Sequence, residues 1–325
     1  MINNNIKFQQ LRHFISIAEA GKFSKAANLI GIAQPALSQS INKLELILNA
    51  TLFERTQQGV ILTEAGKLLV PKAKNILNNI VGIEQDIKSL FDEPSGTVKI
   101  FLSPKLANFI CIKLYKVMKK KYPKIKIEFE EGFGLRGSKL IETGEIDLGI
   151  LPDWNFNKNI NSELIISDTL YFYGKRDKLN DTNQPIRFSE LINYPLILTG
   201  AQVILKQKLN ETSNKLNKKL QIILDSNSQT YTESFIKEGL GFSIGPAEAS
   251  YLERKNNQFF ARKIIEPEIQ RSVVICWPKS ILTTKATQVT ADNILLILKS
   301  MLNEKILVGS YLLNKDLLKI SSLKN

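Results

Sequence analysis

Gly21, Gly31 and Pro35 are the residues that most constrain how this chain can begin to fold. Leu11, Phe14, Ile15 and Ala18 recur at helical spacing, and Gly21 follows where a helix end favours a left-handed glycine. Ser24 is a candidate cap for a second, short helix over 25–30. Gly31 then breaks the chain, as a tight turn between helices requires. Pro35 suits the first turn of a third helix, since its ring fixes φ and its missing N–H has no helical partner there anyway. Ala33, Leu37, Ile41 and Leu44 would form that helix's apolar face, and Gln34, Ser38, Gln39 and Asn42 the opposite one. Ala26 and Ala27 are small enough to let two helices approach closely. The pattern predicts helix, short helix, turn, helix.

The outer face of the third helix is polar but uncharged. Gln and Asn can pair with an adenine edge through two hydrogen bonds, and Ser can donate or accept. A merely solvated face would look the same, but the short helix, glycine turn and proline start favour duplex DNA as the partner. Next, 52–55 and 60–62 read as two short strands around Gln57-Gln58-Gly59, a hairpin wing. Arg55 could reach a phosphate from it, or pair with Glu54 or Glu64. Thr63 can cap a long helix with Glu64 in its first turn. Along that helix Ile76, Ile80, Ile83, Ile87 and Leu90 are spaced 4, 3, 4 and 3 apart, a heptad seam. Such a seam needs a partner helix, which predicts dimerisation; packing on its own domain is the other reading. Pro71 should kink the helix near its start.

Charge and composition narrow the function. Of the net +13 on 325 residues, the first 90 hold ten basic and six acidic residues, so most of the excess lies beyond them. A basic balance suits a polyanionic partner but does not place it, and many lysines can be plain solvated surface. His13 is the single histidine, and the two cysteines, Cys111 and Cys276, lie in apolar segments far apart. That excludes multi-histidine metal sites and disulfide frameworks and gives catalysis no histidine pair. No metal, no cofactor and no enzymatic activity are expected, and Asp147 reads as structural. With no signal-like start and no apolar run of spanning length, no membrane association and a cytoplasmic location are expected.

After a break at 92–96 the period changes. Strands are expected at 98–102, 125–129 and 146–151, with helices at 104–120 and 136–143 between them; the alternation predicts a parallel sheet covered by helices. Further strands are expected at 170–173, 195–198, 222–224, 242–244 and 273–277, with helices at 202–217, 231–238 and 284–302. The order suggests two α/β lobes crossed twice, near Ser167 and near Pro267, with a cleft between them. Ligands in such lobes sit at strand carboxyl ends against helix N-termini, which favour anions. Ser103-Pro104, the loop at Phe133, Thr199-Gly200, Gln202 and Ser228 mark those ends. Ser103, Pro104, Phe133, Thr199, Gln202 and Ser228 are therefore the candidate site for a small, anionic effector. Ordinary helix caps would leave the same residues, and Lys105 and Arg136 are either counter-charges or surface groups.

In order along the chain stand Gln10-Leu11-Arg12-His13-Phe14, Phe23-Ser24-Lys25-Ala26-Ala27, Gln34-Pro35-Ala36-Leu37-Ser38-Gln39-Ser40-Ile41, Leu44-Glu45, Leu52-Phe53-Glu54-Arg55 and Leu62-Thr63-Glu64-Ala65-Gly66. Together they resemble the DNA-binding end of LysR-type transcriptional regulators. Lys22 stands where that family usually has a serine, and Gln57-Gln58 where basic residues are common. Gly96-Thr97-Val98-Lys99-Ile100, Lys121-Tyr122-Pro123, the run from Gly144 to Ile150 and Gly239 to Ile244 resemble the family's effector-binding part. Pro195 to Leu198 and 264–271 look most like the branch around the nitrogen assimilation control regulators.

The resemblance implies an α/β chain with an N-terminal winged helix-turn-helix (1–66), a linker and dimerisation helix (67–94), and a two-lobed, periplasmic-binding-protein-like effector domain (95–303). Lobe I would be 95–166 with 269–303 and lobe II 167–268; 304–325 is a tail that is either one more helix or a partly ordered extension. The expected DNA-contacting set is Ser24, Gln34, Pro35, Ala36, Ser38, Gln39, Asn42 and Arg55. The expected partners are double-stranded DNA, a small-molecule effector and further copies of the chain in a homodimer or homotetramer. A cytoplasmic small-molecule-binding protein without a transcriptional role is the alternative, and an enzyme using the cleft is a more remote one.

Overall fold

The computed structural model describes residues 6–89, 93–153, 156–179, 184–199, 203–226 and 228–312. The chain divides into two compact units, residues 1–90 with 280–284, and 91–279 with 285–325. In the first, α1 (Phe8–Ala20) ends on Gly21 at φ +70° and α2 (Phe23–Ile30) on Gly31 at φ +72°, the left-handed turns expected of these two glycines. The second helix starts earlier than expected: extended Lys22 is its cap position, so Ser24 lies inside the first turn and caps nothing. α3 (Gln34–Leu48) carries Pro35 in its first turn and ends on left-handed Asn49. Leu37, Ile41 and Leu44 are buried as expected, whereas Ala33 precedes the helix and is exposed.

These faces close one core with Leu11, Phe14, Ile17, Ala26, Ala27 and Leu52. Burying each large apolar side chain there contributes roughly 1.5–3 kcal/mol. β1 (Phe53–Thr56) and β2 (Gly59–Leu62) pair antiparallel as the wing. Thr63 caps α4 (Glu64–Ser89), its hydroxyl accepting from the Gly66 N–H at 3.0 Å. Pro71 lies inside α4 without ending it. Leu69, Val70, Ala73 and Leu77 of α4 join the core, but the isoleucine seam does not. Ile76, Ile83 and Ile87 are about half exposed and Ile80 half-buried; Leu90 lies outside the described residues.

The second unit alternates strand and helix at first: β3 (Gly96–Leu102), α5 (Pro104–Lys121), β4 (Ile125–Glu131), α6 (Gly134–Glu142) and β5 (Leu148–Pro152). Then come β6 (Ile160–Lys175), β7 (Ile186–Arg187), β8 (Pro195–Thr199), α7 (Val203–Lys215), β9 (Gln221–Ser226), α8 (Gln229–Lys237) and β10 (Ser243–Pro246). A 3₁₀ turn (Ala247–Ser250) leads to α9 (Tyr251–Lys255), β11 (Phe259–Ile265), β12 (Gln270–Pro278), α10 (Lys285–Asn303) and β13 (Tyr311–Leu312). β3 runs parallel to β4 and β5, as expected, but β12 is antiparallel to β5 and β6, so the sheet is mixed rather than parallel. The 3.6-period and alternating patterns could not show strand direction.

β6 is the central surprise, sixteen residues long where a four-residue strand was expected. Up to Thr169 it pairs with β12, and from Leu170 onward with β10 and β11, so one strand serves two lobes. The chain returns through the segment between β11 and β12, which includes Pro267. One core packs β3, β5, β12, α5 and α10 together, and another packs β6, β8, β10, β11 and α7. The described part of the tail pairs Tyr311 and Leu312 with Ser167 and Ile166 of β6, a strand rather than a further helix.

Candidate functional site

In the first unit, the start of α2, Gln34 and Ser38 of α3 and the wing line a shared groove of about 350 Å³. It brings together Ser24, Gln34, Ser38 and Arg55 from the expected set. Pro35, Ala36, Gln39 and Asn42 are exposed on the same helix but do not line it. Arg55 pairs with neither Glu54 nor Glu64; the latter holds Lys67 at 2.6 Å. The groove also contains Lys22, which stood out in the sequence only as a departure from a pattern. Two cations thus share a groove with uncharged polar residues of α3, the division of labour expected when charge holds phosphates and amides read bases.

That face is fixed from behind. The Glu45 carboxylate of α3 accepts from the backbone N–H of Leu52 at 2.6 Å and of Phe53 at 3.4 Å, tying the wing to the helix. His13 Nδ1 lies 2.8 Å from the Ser40 hydroxyl, joining α1 to α3. Burial first, and Arg12 second, lower the His13 pKa, which favours the neutral ring.

In the second unit the cleft between the two lobes is lined by the first turns of four helices, α5 at Ser103–Lys105, α6 at Phe133–Leu135, α7 at Val203–Leu205 and α8 at Gln229. Unpaired N–H groups at such ends favour negative charge. An inner chamber of about 70 Å³ adjoins an outer cleft of about 790 Å³. Ser103, Pro104 and Phe133 line the inner chamber and Ser228 the outer cleft. Ser228 caps α8, its hydroxyl accepting from Tyr231 N–H at 3.4 Å, while the Ser103 hydroxyl makes no such bond. Thr199 faces neither space; it is buried with its hydroxyl 3.3 Å from that of Thr232, tying β8 to α8. Gln202 and Gly200 lie outside the described residues.

Lys105 is neither free counter-charge nor idle surface: its ammonium lies 2.7 Å from Glu233 of α8, an ion pair joining the lobes. Arg136 pairs with Glu130 on its own lobe. Sequence reasoning missed the polar group beside the chamber. Arg271 donates to Asp168 at 2.6 Å and to Glu248 at 3.1 Å, and Arg271 and Glu248 line the chamber. The signal for it was an isolated charge inside an apolar run, as in Pro246-Ala247-Glu248-Ala249.

Other reactive groups have structural surroundings. Asp147 accepts from the Lys99 N–H at 2.7 Å. Burial pushes the Cys111 thiol up to about 11 and Cys276 higher still, and the two pack in different apolar clusters. Among the described residues no His, Cys, Asp and Glu cluster could hold a metal ion, and no helix is long and apolar enough to cross a membrane.

Residues 8–67 match the bacterial regulatory helix-turn-helix protein, lysR family, and residues 91–295 match the LysR substrate binding domain. Among similar proteins is the nitrogen assimilation regulatory protein nac of Klebsiella aerogenes, 26% identical over 246 residues, 75% of this chain and 80% of that one. The protein of the same name from Escherichia coli is 23% identical over 301 residues, 92% and 98% of the two chains. Full-length OxyR from Pseudomonas aeruginosa, a cysteine variant, superposes with a TM-score of 0.69 at 20% identity, covering 95% of this chain and 99% of that one. Full-length CbnR complexed with its target DNA gives 0.63 at 16% identity, covering 91% and 99%. These structural likenesses establish the fold, and the two matched domains establish the family: the chain belongs to the LysR-type transcriptional regulators.

Proposed function

We propose that α3 is the recognition helix, presenting Gln34, Ser38, Gln39 and Asn42 to base edges in a major groove while Lys22 and Arg55 hold phosphates and Ser24, Pro35 and Ala36 lie against the backbone. The observation that carries this reading is the groove itself, where Gln34 and Ser38 share one surface with Lys22 and Arg55. Gln57 and Gln58 at the wing tip add no charge, so electrostatic grip rests on few residues. CbnR, solved in complex with its target DNA, supports the same use of the shared fold.

The half-exposed seam of Ile76, Ile83 and Ile87, with Ile80 between them, is a dimerisation surface on α4. A dimer places two α3 helices on an interrupted inverted repeat. The cleft between the lobes holds a small-molecule effector, and the four helix N-termini around it favour an anion. Effector binding shifts the relative angle of the lobes and hence the dimer's grip on DNA. The chain performs no chemistry on that ligand and works in the cytoplasm, where its DNA is. Electrophoretic shift of the full chain against fragments upstream of bacterial genes tests the reading: a sequence-selective complex that weakens steeply with salt supports it, and no complex with any fragment at low salt contradicts it.

A further inference from the structure

Three charged side chains from distant parts of the chain meet beside the inner chamber: Asp168 of β6, Glu248 of the 3₁₀ turn and Arg271 of β12. One guanidinium nitrogen of Arg271 donates to both carboxylates, and the second Asp168 oxygen accepts from the Ser310 hydroxyl at 2.7 Å. Two buried atoms have no hydrogen-bond partner among the described residues, Arg271 Nε and Glu248 Oε2. They belong to the two members of the cluster that line the chamber. Glu248 is only 3% exposed, so bulk water does not satisfy it. Around them the walls are apolar, with Leu170, Ile204, Ile244 and Ala249.

Two carboxylates share one guanidinium, so the fully ionised cluster has a net negative charge. That charge would repel an anion which the four helix N-termini otherwise attract. A proton on Glu248 Oε2 removes the conflict. Both orphan atoms are then donors, Nε–H and Oε2–H, and a carboxylate oxygen can accept from both. Resting on the reading of the cleft as the effector site, we propose that Glu248 and Arg271 recognise the carboxylate of a small organic acid with an apolar stem, which enters together with one proton taken from water by Glu248. The ligand remains an anion, and no covalent bond forms or breaks beyond that O–H bond.

The surroundings of Glu248 agree. Burial first, and Asp168 second, push its carboxyl up to about 7, and Arg271 pulls it down. Tyr171 and Tyr173 of β6, Glu253 and Arg254 of α9, Lys105 of α5 and Glu233 of α8 are among the other titratable groups on the elements around it. Lys105 and Glu233 neutralise each other. On β11, Arg262 is held by the Gln184 and Pro185 carbonyls and Lys263 by Glu268.

Isothermal titration of the full chain with butyrate, and with butyramide as the uncharged counterpart, tests the proposal at pH 6, 7 and 8 in two buffers of different ionisation enthalpy. Butyrate affinity is expected to fall about tenfold between pH 6 and pH 8, with close to one proton taken up per ligand at pH 8. Butyramide affinity is expected to stay flat and below that of butyrate at pH 6. Glu248→Gln keeps a neutral donor, so it is expected to bind butyrate at the low-pH affinity throughout the range. Equal butyrate affinity at pH 6 and 8, tighter binding of butyramide, or no binding of butyrate at pH 6 would overturn the proposal. Flat binding of butyrate would leave the cleft as an effector site and remove only the proton-coupled acid, whereas the regulator reading stands or falls separately on the DNA shift without ligand.

Discussion

A methyl group on Gly59 would sit 2.3 Å from the Gly21 carbonyl oxygen, closer than any carbon can approach. That oxygen accepts the Val60 N–H at 2.9 Å, so the wing is stitched to the turn between α1 and α2 through a residue with no side chain, at φ +149°. Gly59→Ala should lower the stability of the N-terminal unit by roughly 1–3 kcal/mol, read by thermal unfolding, because overpacking there forces backbone to move. Glu248 gives a second prediction at this scale. Its carboxyl lies at about 7 in the folded chain against an ordinary value of 4.5. A carboxyl raised on folding stabilises fully below its unfolded pKa and loses that contribution as pH rises through the folded one. Stability should therefore fall between about pH 4.5 and pH 7, by an amount on the order of 3 kcal/mol. Glu248→Gln should flatten that fall in unfolding curves taken across this range. Single residues of this kind were the least legible part of the sequence. Glycines and a proline announced the turns at 21, 31 and 35 because each acts through its own backbone. Glu248 and Arg271 acquire meaning only from each other, and nothing local connects them.

Among the elements, α4 was read almost entirely from spacing. Its heptad seam is absent from the core of its own unit, while Leu69, Ala73 and Leu77 on another face complete that core. Ile83→Asp should dissociate the dimer into monomers without unfolding the chain, since Ile83 is 46% exposed. Sedimentation velocity shows it directly, and an unchanged dimer would mean that association runs through another surface. β6 was hidden for a physical reason. Its first half exposes Asn161, Glu163 and Leu164 in part and its second half is buried, so it carries no single alternation along sixteen residues. Ser24 misled in a smaller way, because a serine suits the first turn as well as the cap and Lys22 already holds the extended position.

For the whole molecule, lobe architecture followed from the order of periods, whereas the contacts between lobes did not. Lys105 on α5 and Glu233 on α8 are 128 positions apart and only 15% and 24% exposed, and they hold the two lobes together beside the cleft. Lys105→Met should shift the lobes toward a more open average, seen as a larger radius of gyration of the unliganded chain in small-angle scattering. Removing the lysine leaves the Glu233 carboxylate poorly solvated in the closed arrangement, and opening the cleft hydrates it. The candidate DNA interface was more legible than the effector cleft because one short segment supplies most of it, whereas the cleft draws on loops from both lobes. Gene control by this chain requires the outer face of α3 to meet the duplex. Fluorescence anisotropy with a fragment retained by the wild-type chain, comparing it with the double variant Ser38→Glu, Asn42→Glu of unchanged thermal stability, is the direct measurement. At least a hundredfold loss of affinity is predicted, from lost base contacts of about 1–3 kcal/mol each plus repulsion by the phosphates; unchanged affinity would contradict the account.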